Sequence, residues 1–393
     1  QMFYRSLLTG GHPASFHGEL ESAPLPRELR ELGVISTLIT DCGELAESPL
    51  LEDFDRRYLL EDSPNSADEI EPVEEIEETR LAGRFAELTP LVEQCLISAI
   101  EENRDELIVC HLKGLADIWD APLDLRDRFR DLEDPGPFEG VQPPLMHLEI
   151  DFDPDEILPL THAYAAQVEV LDWCISGMLE MLKSDPRFDK TLFVLTSPQG
   201  FPLGEHRLVG RPLPAGSNTD CTGPASCINH TPIYEETIHT PLLLRLPEGR
   251  GAMARSQALL CPEDLYAMLQ NCFDPQPVDD DGIFSLPGDI TTSIHDRLLI
   301  VSSHETAIVT PAWLLKFCDP SHEDEHVPMA ETEHLELYSK PDDRWEANEV
   351  ADRCPEVIRR LRPIHAELLE AMRNATAQPE FTPLDDLLIH GHE

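Results

Sequence analysis

The chain has 393 residues, 41% of them hydrophobic, which is enough for a sizeable core and long enough for two lobes. Its 76 acidic residues against 29 basic give a formal net charge of −47. That balance argues against nucleic acid as a partner, because phosphate binding needs clustered Lys and Arg. No apolar run approaches the roughly 20 residues of a membrane span, and so acidic a surface reads first as a solubility device. The opening "QMFYRSLLTG" has no basic region followed by an apolar stretch, so it does not read as a signal peptide. It starts inside a helical or turn pattern and reads as a piece of a longer chain. The ten cysteines are scattered. Cys221 and Cys227 share one Gly/Pro/Ser-rich loop and could pair, while the rest read as free thiols, which favours a reducing, cytoplasmic compartment.

In chain order, a helix after "PLPREL" ends at Gly33, and "GVISTLIT" (33–40) follows as a strand. Residues 60–80 are acidic with Pro and Ser and read as a solvated loop leading into a helix near 80–101. "ELIVCHL" (106–112) is the next strand. The clearest helix has Tyr164, Val168, Leu171, Ile175, Met178 and Leu182 on one stripe. "TLFVLTS" (191–197) and "TPLLLRLP" (240–247) read as further buried strands, and "CPEDLYAMLQNCF" (261–273) as a helix with Pro at its first position. Strands alternating with helices predict an α/β fold with a mainly parallel sheet flanked by helices. Beyond about residue 290 the pattern changes. "RLLIVSSHETAIVTPAWLLKF" (297–317) reads as two strands joined at "SSHE", followed by a short strand, an acidic turn and a helix with the stripe Val357, Leu361, Ile364 and Leu368. Pro363 lies inside that stripe and predicts a kink. The expected domains are therefore an α/β domain over 1–290 and a small antiparallel C-terminal subdomain with a covering helix over 291–393.

Six stretches, in order, resemble the sulfatase family of the alkaline-phosphatase-like superfamily. "RSLLTGGHPASFHG" (5–18) resembles S-R-x-x-L-L-T-G-R-x-P-x-x-H-G, and "LPRELRELGVISTLIT" resembles L-x-x-x-L-x-x-x-G-Y-x-T-x-x-x-G. "VCHLKGLADIWDAP" resembles the strand that ends in a His-rich loop. "TLFVLTSPQGFPLGEHRLVGR" resembles T-x-x-x-x-T-S-D-H-G-E-x-L-G-E-H-G-x-x-x-K. "YEETIHTPLLLRLPEG" and "LELYSKPDDRWEANEVADRCPEVIRRL" resemble the family's Y-E-E and L-Y-D-L segments. The resemblance implies sulfuric-ester hydrolysis. That chemistry uses calcium on oxygen ligands, a formylglycine nucleophile made from Cys or Ser in C/S-x-P-x-R, and cationic and His groups that hold the sulfate.

Residue by residue, the implied site is degenerate. The D-H-G turn that supplies metal ligands holds Pro198 and Gln199, one without any side-chain donor or acceptor and the other with a single neutral oxygen. No residues precede "QMFYR" to supply the family's two adjacent Asp or its nucleophile; Arg5 falls near the motif's Arg, and Cys42 lacks the motif context and reads as structural. Asp41 stands near the position of a sulfate-binding Lys and inverts its charge. His111, Lys113, His206 and Arg211 remain as pocket candidates, with Lys113 and Arg211 as anion contacts. A plain alternative for His111 is a strand-end imidazole bonded to backbone, and the Gly204–Gly210 loop could be kept for packing alone. His162, His239, His295 and His390 follow no ligand spacing and read as surface or core histidines. The site residues thus point to an inactive or only anion-binding member, with no calcium and no formylglycine in this chain and a sulfated or other anionic small molecule or glycan as ligand. An active sulfuric-ester hydrolase represented by a fragment, a phosphoryl or phosphonate chemistry of the same superfamily, and a non-catalytic structural protein stay open as alternatives.

Overall fold

A computed structural model describes residues 2–9, 24–60, 71–210, 232–274, 295–302, 305–318, 334–374 and 381–391. These fall into two compact units, one within 23–192 and 202–211, the other within 2–22, 193–201 and 212–393. Cys221, Cys227, Arg211, the core of the acidic stretch (61–70) and the expected boundary near 290 lie outside the described residues.

The chain opens with α1 (Met2–Thr9), which belongs to the second unit. The first unit begins at α2 (Leu25–Glu31). Pro24 in extended geometry and Pro26 near its start launch the helix, and Gly33 at φ 81° ends the turn after it. Then come β1 (Ile35–Thr40), α3 (Gly43–Ala46), β2 (Arg56–Leu59), α4 (Arg80–Glu101), β3 (Glu106–His111), α5 (Leu123–Asp127), β4 (Met146–His147) and α6 (Leu158–Lys183). The order β2–β1–β3 is parallel throughout, with Thr40 opposite His111 and opposite Leu59, so three strand C-termini lie along one edge. β1 is almost wholly buried, as a central strand of apolar and β-branched residues should be. Helix α4 starts at Thr79, whose Oγ1 accepts the Ala82 N–H at 3.2 Å.

Helix α6 packs on α4 and α5, but its buried stripe is not the expected one. Leu160, Ala163, Ala166, Gln167, Val170 and Cys174 face inward with Met178 and Leu182, while Val168 is 39% exposed. Alanines on the inner face let Ala166 and Val170 share one apolar cluster with Leu81 and Ala82 of α4 and Leu125 of α5. Gln167 is fully buried because its Oε1 accepts the Ala121 N–H.

In the second unit, β5 (Phe193–Thr196) pairs with β7 (Leu242–Arg245) as an antiparallel two-stranded ladder. Both strands are half-buried to exposed rather than buried, since each has only one ladder partner among the described residues. Between them the chain returns to the first unit to form β6 (Leu208–Val209), which pairs with β4 there, and then forms α7 (Glu235–Ile238) of the second unit. Helix α8 (Pro262–Phe273) packs against α1, where Ser6 Oγ donates to Glu263 Oε1 at 3.0 Å.

The C-terminal part is an antiparallel sheet in the order β11–β10–β9–β8, made of β8 (Leu298–Val301), β9 (Glu305–Val309), β10 (Trp313–Cys318) and β11 (His334–Ser339). Residues 297–317 thus hold three strands where two are expected. The second break falls at Thr310–Ala312, where Pro311 has no N–H to give a ladder and the Thr310 N–H donates to the Trp313 carbonyl. Helix α9 (Pro355–Arg373) lays Val357, Leu361, Ile364 and Leu368 onto Ile308, Leu315, Phe317 and Leu337, as its stripe predicts. It runs continuously through Pro363. Helix α10 (Asp386–His390) completes this core. Lys316 is buried at the centre of the sheet, its Nζ 3.0 Å from Glu336 Oε2 and over the Tyr234 ring.

Candidate functional site

Ligands of open α/β sheets bind at the carboxyl ends of parallel strands, and in the first unit these ends carry the charged groups. Asp41 follows β1 directly and is 5% exposed. Its backbone N–H donates to the His111 carbonyl, continuing the ladder one residue past β3. Its Oδ1 accepts the backbone N–H of Lys113 at 2.9 Å, which folds the chain after β3 back over the end of β1. Its Oδ2 lies 3.8 Å from Nε of Arg84, a residue also 5% exposed. Glu87 faces the same guanidinium at 3.7 Å. Asp41 therefore faces a buried cation and fastens a loop.

His111 closes β3 and is half-buried. Burial above all, with nearby positive charge to which Lys113 adds a smaller part, depresses its imidazole to about 4, so it is neutral at pH 7. Lys113 starts the short turn Gly114–Ala116 and is half-buried. The loop beyond is held by Asp117, 3.3 Å from Arg80 Nε, and by Asp120, whose Oδ2 accepts the Arg80 N–H at 2.6 Å. Farther on, Arg126 is fully buried and donates to the carbonyls of Ala121 and Gly140.

His206 belongs to the same unit but to a different local structure. The Gly204 N–H donates to the Leu208 carbonyl, the Gly210 N–H to the Pro202 carbonyl, and Glu205 Oε2 accepts the Leu203 N–H. His206 is half-buried at the tip of this closed turn. Gly210 is obligatory there: its φ is +84°, and a Cβ would lie 1.8 Å from the Pro144 carbonyl oxygen. Thus Asp41, His111 and Lys113 come together at the strand ends, His206 sits on its own turn, and Arg211 is outside the described residues.

Pro198 and Gln199 follow β5 in the second unit. The turn closes on itself, with Ser197 Oγ donating to the Gln199 carbonyl at 2.7 Å. The Gly200 N–H donates to the Thr237 carbonyl, and a Cβ at Gly200 would lie 1.9 Å from the Glu236 carbonyl oxygen. A hard dication needs six to eight oxygens, several of them carboxylates. Pro198 gives none and Gln199 gives one neutral amide oxygen, so the side chains of these two residues do not fit calcium.

Two features escape the sequence reading. Arg84 stands on the inner face of α4, in step with Leu81 and Leu88, where an arginine among apolar neighbours is the only signal. The other is His295, read above as a plain surface or core histidine. Its Nε2 lies 2.9 Å from Asp264 Oδ1 and 3.9 Å from Cys261 Sγ. Of the other histidines in that group, His162 is buried 3.6 Å from Asp134, His239 is bonded to Glu235, and His390 is exposed.

With this geometry in hand, the comparisons with known proteins are consistent with one another. The Sulfatase family model matches residues 85–274. No curated protein matches the chain. Among solved structures, BT4656 in complex with its substrate D-glucosamine-2-N,6-O-disulfate is similar with a TM-score of 0.64 at 14% identity, covering 95% of this chain and 88% of that one. The phosphonate monoester hydrolase of Agrobacterium radiobacter is similar with a TM-score of 0.62 at 15% identity, covering 95% of this chain and 85% of that one. That of Silicibacter pomeroyi gives 0.60 at 16%, covering 95% and 86%. Among the described residues no helix is long and apolar enough to cross a membrane. Residues 85–274 thus match the Sulfatase family model, and the chain has the alkaline-phosphatase-like α/β fold with a small antiparallel C-terminal subdomain and its covering helix.

Proposed function

We propose that this chain is a sulfatase-family protein whose own residues do not hydrolyse sulfuric esters and that keeps, at the ends of β1 and β3, a place for an anion. The observation that carries this reading is the turn after β5. It offers Pro198 and Gln199, and its Ser197 hydroxyl is spent on the turn's own backbone. With no carboxylate there, calcium loses the ligands that would neutralise a sulfate group. The buried pair of Asp41 and Arg84 supports the same reading, because the carboxylate cancels a cation that an anion would otherwise meet.

Lys113 is the cation left at the strand ends to hold the ligand, and the family resemblance offers Arg211 as a second. The neutral His111 adds no charge at pH 7. The ligand class we favour is a sulfated sugar, in keeping with the disulfated glucosamine bound by BT4656. No step of ester cleavage is assigned to His111 or His206.

The test is an assay of the full chain with a chromogenic aryl sulfate in calcium, together with thermal melting with and without calcium. We expect no turnover and no shift in Tm. A sulfated glucosamine should bind, and Lys113→Ala should weaken it about tenfold, the worth of one charge-assisted hydrogen bond. Turnover of an aryl sulfate or an aryl phosphonate, or a calcium-dependent rise in Tm that Gln199→Ala removes, would overturn the reading.

A further inference from the structure

We propose that Cys261, Asp264 and His295 form a binding site for a transition-metal dication, zinc being the best match, with one coordination position open to solvent. Among the described residues this is the one cluster in which three Cys, His or carboxylate ligand atoms lie within 4.8 Å of one another. It shares no residue with the turn after β5 or with the strand ends of the first unit, and it does not depend on the reading of either.

The ligand types decide the metal. A thiol sulfur, an imidazole nitrogen and one carboxylate oxygen make a borderline-soft set, which suits zinc and not the oxygen-seeking calcium or magnesium. The spacing fits as well. With bonds of about 2.3 Å to sulfur and about 2.0–2.1 Å to nitrogen or oxygen, ligand atoms around a tetrahedral ion lie roughly 3.3–3.6 Å apart. Here Sγ to Nε2 is 3.9 Å and Nε2 to Oδ1 is 2.9 Å, each within a few tenths of an ångström of that spacing, and Sγ and Oδ1 lie within 4.8 Å of each other. In the metal-free protein a hydrogen bond between Nε2 and Oδ1 occupies that centre.

The backbone holds the three groups in place. Leu259 and His295 form an isolated antiparallel bridge, which fixes His295 beside the segment that leads into α8. The Cys261 N–H donates to Asp264 Oδ2 at 2.6 Å, the reciprocal cap of this helix, and that bond leaves Oδ1 aimed at His295. Such bonds orient ligands before the ion arrives. The Asp264 side chain is 11% exposed and that of His295 32%, so an ion here keeps a path to water and a fourth ligand from solvent. Glu263 and Asp296 add negative charge near the imidazole, which favours a dication. Zinc binds the thiolate, so uptake transfers the Cys261 Sγ proton to solvent, and the imidazole coordinates through Nε2 with its proton on Nδ1.

The test uses the full chain, stripped with chelator and titrated with cobalt(II) and then zinc. Cobalt bound through sulfur gives a near-ultraviolet thiolate charge-transfer band, which an oxygen-ligated cation site elsewhere in the chain cannot give. We expect one ion per chain with that band, displaced by one equivalent of zinc. Cys261→Ser should abolish the band, and His295→Gln should lower zinc affinity at least about tenfold. Asp264→Asn keeps an acceptor for the Cys261 N–H and hence the helix cap, so its weaker zinc binding reports on the metal rather than on folding. Cys272→Ser, on the same helix, should bind as the unaltered chain does. Absence of the band in the unaltered protein, its survival in Cys261→Ser, or unchanged zinc affinity in both His295→Gln and Asp264→Asn would overturn the proposal.

Discussion

The strand ends of the first unit and the start of α8 in the second are both clusters of polar side chains, yet their chemistry is opposite. At the strand ends Asp41 is spent: one oxygen fastens the Lys113 backbone and the other faces the buried Arg84. At the start of α8 the sulfur, the nitrogen and the carboxylate converge on a common centre and stay partly open to water. The family resemblance points to the first place and is silent about the second. A fold tells where a family does its chemistry, whereas the donor set at each place decides what one chain can still do there.

The sharpest way to break the comparison is Asp41→Asn. Asparagine can still accept the Lys113 N–H but cannot balance Arg84, and removing one partner of a buried ion pair typically costs 3–5 kcal/mol. Because Glu87 also faces Arg84 at 3.7 Å, we expect the low end, about 3 kcal/mol, read as a lower urea midpoint with an unchanged slope. A loss below about 0.5 kcal/mol, the range of an ordinary surface substitution, would mean that Asp41 is no structural keystone. The matching change at the second place should be milder. Asp264→Ala in chelator-treated protein removes a helix cap and a partly exposed ion pair, together worth about 1–2 kcal/mol. If it costs as much as Asp41→Asn, the α8 cluster is a structural knot like the first, and the contrast between the two places fails.

Much of the fold is legible in the sequence, and the exceptions share a physical cause. Strands β1 and β3 and helices α2, α4 and α8 announce themselves by apolar runs, 3.6-residue stripes and proline starts, and the α9 stripe is buried at every expected position. On α6 the large residues misled: Tyr164, Val168, Leu171 and Ile175 weigh most in a periodicity, but Ala163, Ala166 and Val170 do the packing, since small side chains let helices approach closely. The break at Pro311 is hidden in the sequence because β9 and β10 are apolar on both sides of it. At the site, Asp41, His111 and Lys113 were legible as strand-end residues. Arg84 was not, because its partner lies on another element, 43 positions earlier. Cys261 and His295 are 34 positions apart and meet only through the bridge between Leu259 and His295, so no local spacing betrays them.

The smallest effect concerns charge at the strand ends, and it is read by proton titration of the histidine ring signals. His111 is depressed to about 4, chiefly by burial, with Lys113 among the smaller causes. The unfolded value is about 6.5, so between those limits the unfolded chain binds the proton and the folded one does not, and this residue's share of stability grows as pH rises from about 4 to about 6.5. His239 supplies the opposite sign in the same spectrum. Its hydrogen bond to Glu235 raises it above 6.5, so its contribution is complete below about 6.5 and is lost as pH rises through the folded value. We expect the His111 signal, assigned by its loss in His111→Gln, to stay neutral from pH 8 down to about 5, and the His239 signal to titrate above 6.5. If so, Lys113 supplies the charge that an anion meets there, and sulfate affinity should be flat between about pH 6 and 8, a range in which an unperturbed imidazole would change charge. A His111 midpoint near 6.5, with affinity that climbs as pH falls through it, would instead make the imidazole part of the anion site, and the two places would then differ less than their donor sets suggest.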